Sequence, residues 1–336
     1  MGSNTKIEFA EHSWNPWYGC SRVSEGCDNC YAERWAKRAP FIENFFGGPK
    51  LSKRGIRFPR SKHHKPGDFV FVCSLSDFFH RAVRSKWRAD ALQVMADRPE
   101  LIFLLLTKRI EIAEDEIVLI KEHIPDLWPK LEKNRNVWLG VTAENQRRAD
   151  ERIPILLEMK WPGRKFASVE PMIGGVDLGM WLGDPTGIAC CSGEPEYCQG
   201  CKMEVALDKL RRVTDDGMCM YYEKLDWVIA GGESGKNARP IHPDAVRHLR
   251  DQCAATNTVF TFKQWGKWAP VDVWDDEEYF GGIVCKDPSG GTVAVTGFGR
   301  YDEREDQWWL PVGKDKSGKT LDGQTHLGRP EPEVKA

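Results

Sequence analysis

Ile102-Phe103-Leu104-Leu105-Leu106, followed at once by Thr107-Lys108-Arg109, is a short apolar run that ends in hydrogen-bonding and charged side chains. An amphipathic helix would space its apolar residues three and four apart, and a half-exposed strand would alternate them. A short continuous run fits a strand covered on both faces, as in a parallel sheet. The pattern recurs in Phe69-Val70-Phe71-Val72-Cys73, Val137-Trp138-Leu139-Gly140-Val141, Lys165-Phe166-Ala167-Ser168-Val169, Trp227-Val228-Ile229-Ala230 and Val259-Phe260-Thr261-Phe262. Between these runs, Trp87 to Ala96, Glu111 to His123, Asn145 to Glu158 and Pro243 to Ala255 suit crossover helices, with Pro243 fitting a first helical turn. Alternating β and α predicts an α/β chain folded as a partial TIM-type (β/α) barrel of about six parallel strands.

In such a barrel the carboxyl ends of all strands face one mouth. Ser74, Ser76 and Asp77 follow one strand, and Thr107, Lys108 and Arg109 the next. Thr142, Glu144 and Asn145 follow the third and Glu170-Pro171 the fourth. Gly231-Gly232-Glu233-Ser234-Gly235 follows the fifth, and Lys263-Gln264-Trp265 the last. One polar strand end means contact with solvent. Six of them predict a common site, with Ser76, Asp77, Lys108, Glu144, Asn145, Glu170 and Glu233 around its ligands. The glycines at 231 and 232 let a ligand approach the backbone or make a tight βα turn.

Ahead of the first of these strands lies Trp14-Asn15-Pro16-Trp17-Tyr18-Gly19-Cys20, then six residues, then Cys27-Asp28-Asn29-Cys30-Tyr31-Ala32-Glu33. Three thiolates on one tight loop can hold three corners of a [4Fe–4S] cube and leave the fourth iron open for a substrate or cofactor. They can also form most of a structural zinc site, with His12 or His80 as fourth ligand. Spacing alone leaves both open. A helix is expected from about Tyr31.

A second cysteine group, Cys190, Cys191, Cys198, Cys201 and Cys219, lies between the fourth and fifth strands. Its Cys198-Gln199-Gly200-Cys201 knuckle suits structural zinc or an auxiliary iron–sulfur cluster. Cys73, Cys253 and Cys285 are isolated and read as core residues.

The chain has 336 residues, 41% of them hydrophobic and 29% charged, with a formal net charge of −2 and eleven cysteines. That is enough chain for a full core, and the balance is ordinary for a soluble globular protein. It excludes a polycation seeking nucleic acid through overall charge. No apolar run long enough to span a bilayer and no signal peptide is present, so a cytoplasmic location and metal ligation rather than disulfides are expected. From Asn44 to Gly67 there is no acid, while Lys50, Lys53, Arg54, Arg57, Arg60, Lys62 and Lys65 accumulate. The run reads as a solvated loop or, alternatively, as a grip on phosphates beside the cysteine loop.

The expected organisation is a barrel over residues 1–270, carrying the Cys-rich insertion at about 183–222. A β-rich appendage at 271–336 follows, with strands within 281–300, Trp308-Trp309-Leu310 and a frayed polar tail from Gly313.

The cysteine loop with Trp14-Asn15-Pro16, Ser74-Leu75-Ser76-Asp77-Phe78-Phe79-His80, Leu106-Thr107-Lys108-Arg109, Glu170-Pro171, Gly231-Gly232-Glu233-Ser234 and Phe262-Lys263-Gln264-Trp265-Gly266 resembles a phage-associated family. That family is similar to a divergent branch of the radical S-adenosylmethionine enzymes. The resemblance covers roughly residues 5 to 270. It implies a [4Fe–4S] cluster on Cys20, Cys27 and Cys30, and S-adenosylmethionine held by its amino and carboxylate groups. Reductive cleavage of that cofactor and hydrogen abstraction from substrate would follow. Glu170, Lys108 and Asp77 are the catalytic candidates. Ser76, Glu144, Asn145, Gly231, Gly232, Glu233 and Tyr31 are the cofactor-binding ones. The resemblance also implies an electron donor such as flavodoxin or ferredoxin and the cytoplasm of a bacterial host. As substrate it implies a nucleic-acid base, with DNA favoured and an amino-acid-decorated thymine as one form. Other readings are a radical enzyme acting on a small molecule or on damaged DNA, and a zinc-stabilised nucleic-acid-binding protein without catalysis. The first gap between cysteines is six residues, where the wider superfamily commonly has three.

Overall fold

The computed structural model describes residues 2–3, 5 and 7–332, except 40–43, 59–62, 184–210, 214–218, 222, 272–282, 287–291, 296–299, 303–306 and 311–316. Seven strands form one parallel sheet in chain order: β1 (His12–Trp14), β2 (Phe69–Val72), β3 (Ile102–Thr107), β4 (Val137–Thr142), β5 (Lys165–Val169), β6 (Trp227–Ala230) and β7 (Val259–Phe262). The sheet curls into a half-barrel flanked by helices, as a partial TIM-type barrel does. Gly2–Ser3 adds a short antiparallel edge beside β1. The sequence pattern predicts six of these parallel strands. β1 escapes it because His-Ser-Trp is neither long nor apolar.

Strand residues alternate between two cores. Val70, Val72, Phe103, Leu105, Val137, Leu139, Ala167 and Val169 face the helices. Phe69, Phe71, Ile102, Leu104, Trp138, Phe166, Trp227 and Ile229 fill the barrel interior. Trp227 sits in that interior with ring centroids 6.0 Å from Phe69, 6.3 Å from Trp138 and 5.7 Å from Phe166. Gly140 is required beside them, because a Cβ there would lie 2.5 Å from the Phe166 ring. The barrel floor is therefore plugged with rings. Toward the carboxyl ends the same inward rows turn polar: Leu106 leads to Lys108, Gly140 to Thr142, and Phe166 to Ser168 and Glu170. That change of chemistry along single strands opens a site at one end of a packed barrel.

Among the described residues the helices are α1 (Tyr31–Ala36), α2 (Ser85–Ala96), α3 (Ile110–His123), α4 (Leu127–Asn134), α5 (Gln146–Glu158), α6 (Gly179–Leu182) and α7 (Pro243–Ala255). The four crossover helices expected from sequence are α2, α3, α5 and α7. Asn145 caps α5 by accepting from the Arg148 N–H at 3.0 Å. Fully buried Arg88 of α2 donates to the carbonyls of Phe78 and His80 at 3.0 and 2.6 Å. That pins the segment that leaves β2 toward the mouth. Among the described residues no helix is long and apolar enough to cross a membrane.

The insertion contains the antiparallel pair Arg211–Val213 and Cys219–Tyr221, which places Cys219 opposite Val213. Cys190, Cys191, Cys198 and Cys201 lie outside the described residues. Strands Ala269–Val271, Gln307–Leu310 and Arg300–Asp302 form an antiparallel sheet, and Ile283–Lys286 pairs with Thr292–Val295, so the C-terminal part is β-rich as expected. Residues 317–332 are not a frayed tail. The Phe262 N–H donates to the His326 carbonyl at 2.7 Å, Trp265 Nε1 to the Thr320 carbonyl at 2.9 Å, and Arg329 Nη2 to the Glu8 carbonyl at 2.7 Å. This segment lies against the free side of β7 and protects what would be an exposed sheet edge.

Candidate active site

A cavity of about 900 Å³ opens at the carboxyl ends of the strands. Cys20, Cys27 and Cys30 all line it, together with Lys108, Arg109 and Lys263 and the carboxylates of Asp77, Glu170 and Glu233. Its size is in the range of small-molecule sites.

The cysteine loop is held from below. Gly19 has a φ of +97°, and a Cβ there would lie 2.4 Å from the Gly48 carbonyl oxygen, so only glycine suits the bend. The Gly19 N–H donates to the Leu75 carbonyl at 3.1 Å, and the Cys20 N–H to the Phe45 carbonyl at 2.9 Å. Ser76 Oγ donates to the Gly19 carbonyl at 2.6 Å. Arg109 lies beneath the loop, 5% exposed. Its Nη2 donates to the carbonyl and the hydroxyl of Ser21 at 2.7 and 2.9 Å, and its Nη1 stands 3.8 Å from Cys20 Sγ. Asp77 in turn holds Arg109, with Oδ2 3.0 Å from Nη1. Asp77 also accepts from Thr107 Oγ1 at 2.7 Å and from the backbone N–H groups of Phe79 and Lys108 at 3.0 Å each. Four donors on one buried carboxylate make Asp77 a positioning group.

The far end of the loop is tied to other strand ends. Glu144, fully buried, accepts from Ser24 Oγ and from Arg152 Nη1, the latter at 2.7 Å. Burial alone would raise its pKa, but the Lys108 and Arg152 charges outweigh it, and the carboxyl titrates below its ordinary range. Asn145 Nδ2 donates to Glu25 Oε1 at 2.5 Å, and Arg148 holds Glu25 Oε2 at 2.8 Å. Glu233 accepts from Asn29 Nδ2 at 2.9 Å and from Arg239 Nη2 at 2.6 Å, while Arg239 also donates to the Glu25 carbonyl at 2.9 Å. Glu144, Asn145 and Glu233, read from sequence as cofactor ligands, thus spend their side chains on fixing the cysteine loop.

Glu170 and Lys263 form an ion pair of 3.1 Å on the cavity wall. Tyr31 Oη, at the start of α1, donates to the Ser74 carbonyl at 2.6 Å. Gly231 leaves room for Glu170: a Cβ there would lie 2.4 Å from Oε1. At Gly232 a Cβ would lie 1.9 Å from the Trp265 carbonyl oxygen, and backbone cannot yield. Gly232→Ala is expected to destabilise the fold by about 3 kcal/mol, read as a lower urea midpoint at unchanged m.

His80 Nδ1 accepts from the Ala82 N–H at 3.1 Å, so its Nε2–H donates to Ser21 Oγ at 2.8 Å. Burial, then Arg109, lowers its pKa from 6.5 to about 4. The unfolded chain takes up this proton at higher pH than the folded one, so stability falls as pH drops from 6.5 to about 4. Denaturation midpoints across that window should fall less steeply for His80→Gln than for the unaltered protein.

Two further wall groups were not singled out as ligand-facing from the sequence. Cys73, buried at the end of β2, has a φ of +58° and contributes a fourth thiol to the wall. Gln264 is 4% exposed; its Nε2 donates to the Gly232 carbonyl at 3.2 Å, which leaves Oε1 buried and without a partner. Arg148, Arg152 and Arg239, which hold Glu25, Glu144 and Glu233, were equally silent, since a lone cation in sequence does not announce its partner.

Among the described residues no three His, Cys, Asp or Glu side chains gather as around one metal ion. His12 is engaged by Asp68 at 2.9 Å and His80 by Ser21, so neither expected fourth zinc ligand is directed at the thiols. Three thiols on one braced loop, room beside them and an unpartnered amide carbonyl in the wall fit a cluster with a polar ligand.

Residues 4–330 match the family described as Protein of unknown function (DUF5131). The chain belongs to this family. No curated protein and no solved structure matches it. The family match spans the barrel, the insertion and the β-rich C-terminal part, so the whole architecture above is that of a DUF5131 protein.

Proposed function

We propose that this DUF5131 chain is a radical S-adenosylmethionine enzyme in which Cys20, Cys27 and Cys30 hold a [4Fe–4S] cluster at the barrel mouth. The observation that carries the reading is the convergence of these three thiols on one cavity of about 900 Å³ at the carboxyl ends of a parallel half-barrel. When bound, the cluster would supply the electron for reductive cleavage of S-adenosylmethionine.

The chain's own residues prepare the place. Burial first, with Asp77 adding, pushes the Cys20 thiol up to about 11, and the Arg109 guanidinium opposes them. Arg109 thus favours the thiolate that ligation needs. Asp77 keeps Arg109 aimed at it. Lys108 and Lys263 supply positive charge for a carboxylate, and Glu170 supplies negative charge for an amine. Gln264 Oε1 accepts from an N–H such as an exocyclic amine of a base. The ring-plugged floor keeps bulk water out from below.

In this reading the substrate is a nucleic-acid base, DNA favoured, in the cytoplasm of a bacterial host. A flavodoxin- or ferredoxin-type donor delivers the electron, and the second cysteine group holds zinc or an auxiliary cluster. The test is anaerobic reconstitution with iron and sulfide, followed by reduction in the presence of S-adenosylmethionine. Release of methionine and 5′-deoxyadenosine supports the reading. A colourless protein that leaves the cofactor intact overturns it in favour of a non-catalytic zinc protein.

A further inference from the structure

We propose that the cation-lined cleft between residues 51–57 and the start of α2 binds the phosphodiester backbone of a nucleic acid and leads it to the barrel mouth. The cleft encloses about 1090 Å³. Lys53, Arg54, Arg57, Arg84 and Lys86 line it, and Asp90 is its one lining carboxylate. Lys86 matches Asp90 at 2.9 Å, which leaves the other four cations with no carboxylate on the wall. The chain as a whole carries a formal charge of −2, so this concentration of positive charge is a local segregation.

A solvated loop would carry such charges on a mobile segment. Here the segment is fixed. Lys50 and Leu51 pair antiparallel with Tyr18 and Trp17, and the Ser52 N–H donates to the Pro16 carbonyl at 2.9 Å. The Gly55 N–H closes a turn on the Ser52 carbonyl at 2.9 Å, and Ile56 and Phe58 pack against the main core. Across the cleft, Trp87 of α2 lies with its ring centroid 6.3 Å from that of Trp17. The five cations are exposed, and they stand on an ordered scaffold.

Three features select the ligand. Three of the cations are arginines, whose planar forks suit phosphate oxygens. With Lys53 and Lys86 they put five cations on one cleft, and a chain of phosphates calls for several. Half-buried Trp87 lines the same cleft with the Arg84 guanidinium 5.8 Å from its ring centroid, which sets a cation and a ring side by side for phosphate and base. The cleft also shares a wall with the candidate active site. Tyr18 lines the cavity while Leu51, from the same two-stranded ribbon, lines the cleft. The assignment of the cleft stands on its own charge, and only its purpose rests on the radical-enzyme reading.

The test is fluorescence anisotropy of a labelled oligonucleotide, single-stranded or duplex, titrated with the full chain over a salt series. Log K is expected to fall linearly with log salt. Lys53→Ala/Arg57→Ala/Arg84→Ala should reduce that slope by about 2 to 3 and weaken binding at least about tenfold near 0.1 M salt. Arg147→Ala, which removes an exposed cation from α5, should leave both unchanged. Equal slopes for the triple variant and the unaltered protein overturn the proposal. Displacement by polyglutamate as readily as by unlabelled DNA overturns it in favour of an acidic polypeptide. The titration is made on the protein as purified and again after reconstitution. Binding without cofactor cleavage sinks the radical reading alone, and cleavage without binding sinks the cleft.

Discussion

Cys27→Ser is expected to abolish S-adenosylmethionine cleavage, a loss of at least about a thousandfold, which is 4 kcal/mol or more of lost barrier reduction. The thiol is buried within the short helical turn Glu25–Cys27, between Ser24 and Asp28, where a serine hydroxyl fits sterically. Serine oxygen is a poor substitute for thiolate on iron. Stability should change by under about 1 kcal/mol, because nothing is overpacked and one sulfur is exchanged for one oxygen. Iron content of the reconstituted variant and 5′-deoxyadenosine formation by chromatography check the first claim. A urea titration checks the second. Retained cleavage would mean that the loop does not carry the chemistry.

Asp77→Ala is the second large effect, and it falls on stability. The substitution removes the acceptor of four donors and leaves the Arg109 guanidinium buried at 5% exposure without its counter-charge. Breaking a buried pair from one side costs about 3–5 kcal/mol. Asp77→Asn keeps the size and a carbonyl acceptor and should cost less. If Asp77 positions the cysteine loop through Arg109, both variants should lose iron uptake in step with their loss of stability, while residual cleavage keeps its pH profile. If Asp77 is an acid or base in the reaction, Asn takes up iron normally and the pH profile changes. Chemical denaturation, iron analysis and a pH series of cleavage separate the two.

Much of the barrel was legible because a strand covered on both faces must be apolar throughout, and six segments say so plainly. β1 was not legible, since three residues cannot display a period and its His12 is satisfied by Asp68 rather than by an apolar neighbour. The 317–332 segment was misjudged for a related reason. Its anchorage to β7 and to Glu8 is through backbone carbonyls, Arg329 and one buried apolar side chain, Leu321, in an otherwise polar stretch, and composition does not register these. At the site, strand-end logic located the mouth and its polar lining. It did not tell a ligand-facing carboxylate from a bracing one. Glu144 and Glu233 are of one residue type at equivalent strand ends with Glu170. Arg152 and Arg239 claim the first two, whereas Glu170 faces the cavity beside Lys263. Which cation meets which carboxylate is decided in three dimensions, so those roles appear only once the strands are assembled.

The account turns on what the Cys20, Cys27 and Cys30 thiols hold. Metal and acid-labile sulfide analysis of anaerobically prepared protein, with electron paramagnetic resonance of the reduced sample before and after adding S-adenosylmethionine, addresses this directly. The predicted result is about four irons and four sulfides attributable to these cysteines, absent from Cys27→Ser, with a signal that shifts when the cofactor binds. One zinc at the loop, or a cluster whose signal ignores the cofactor, would contradict it.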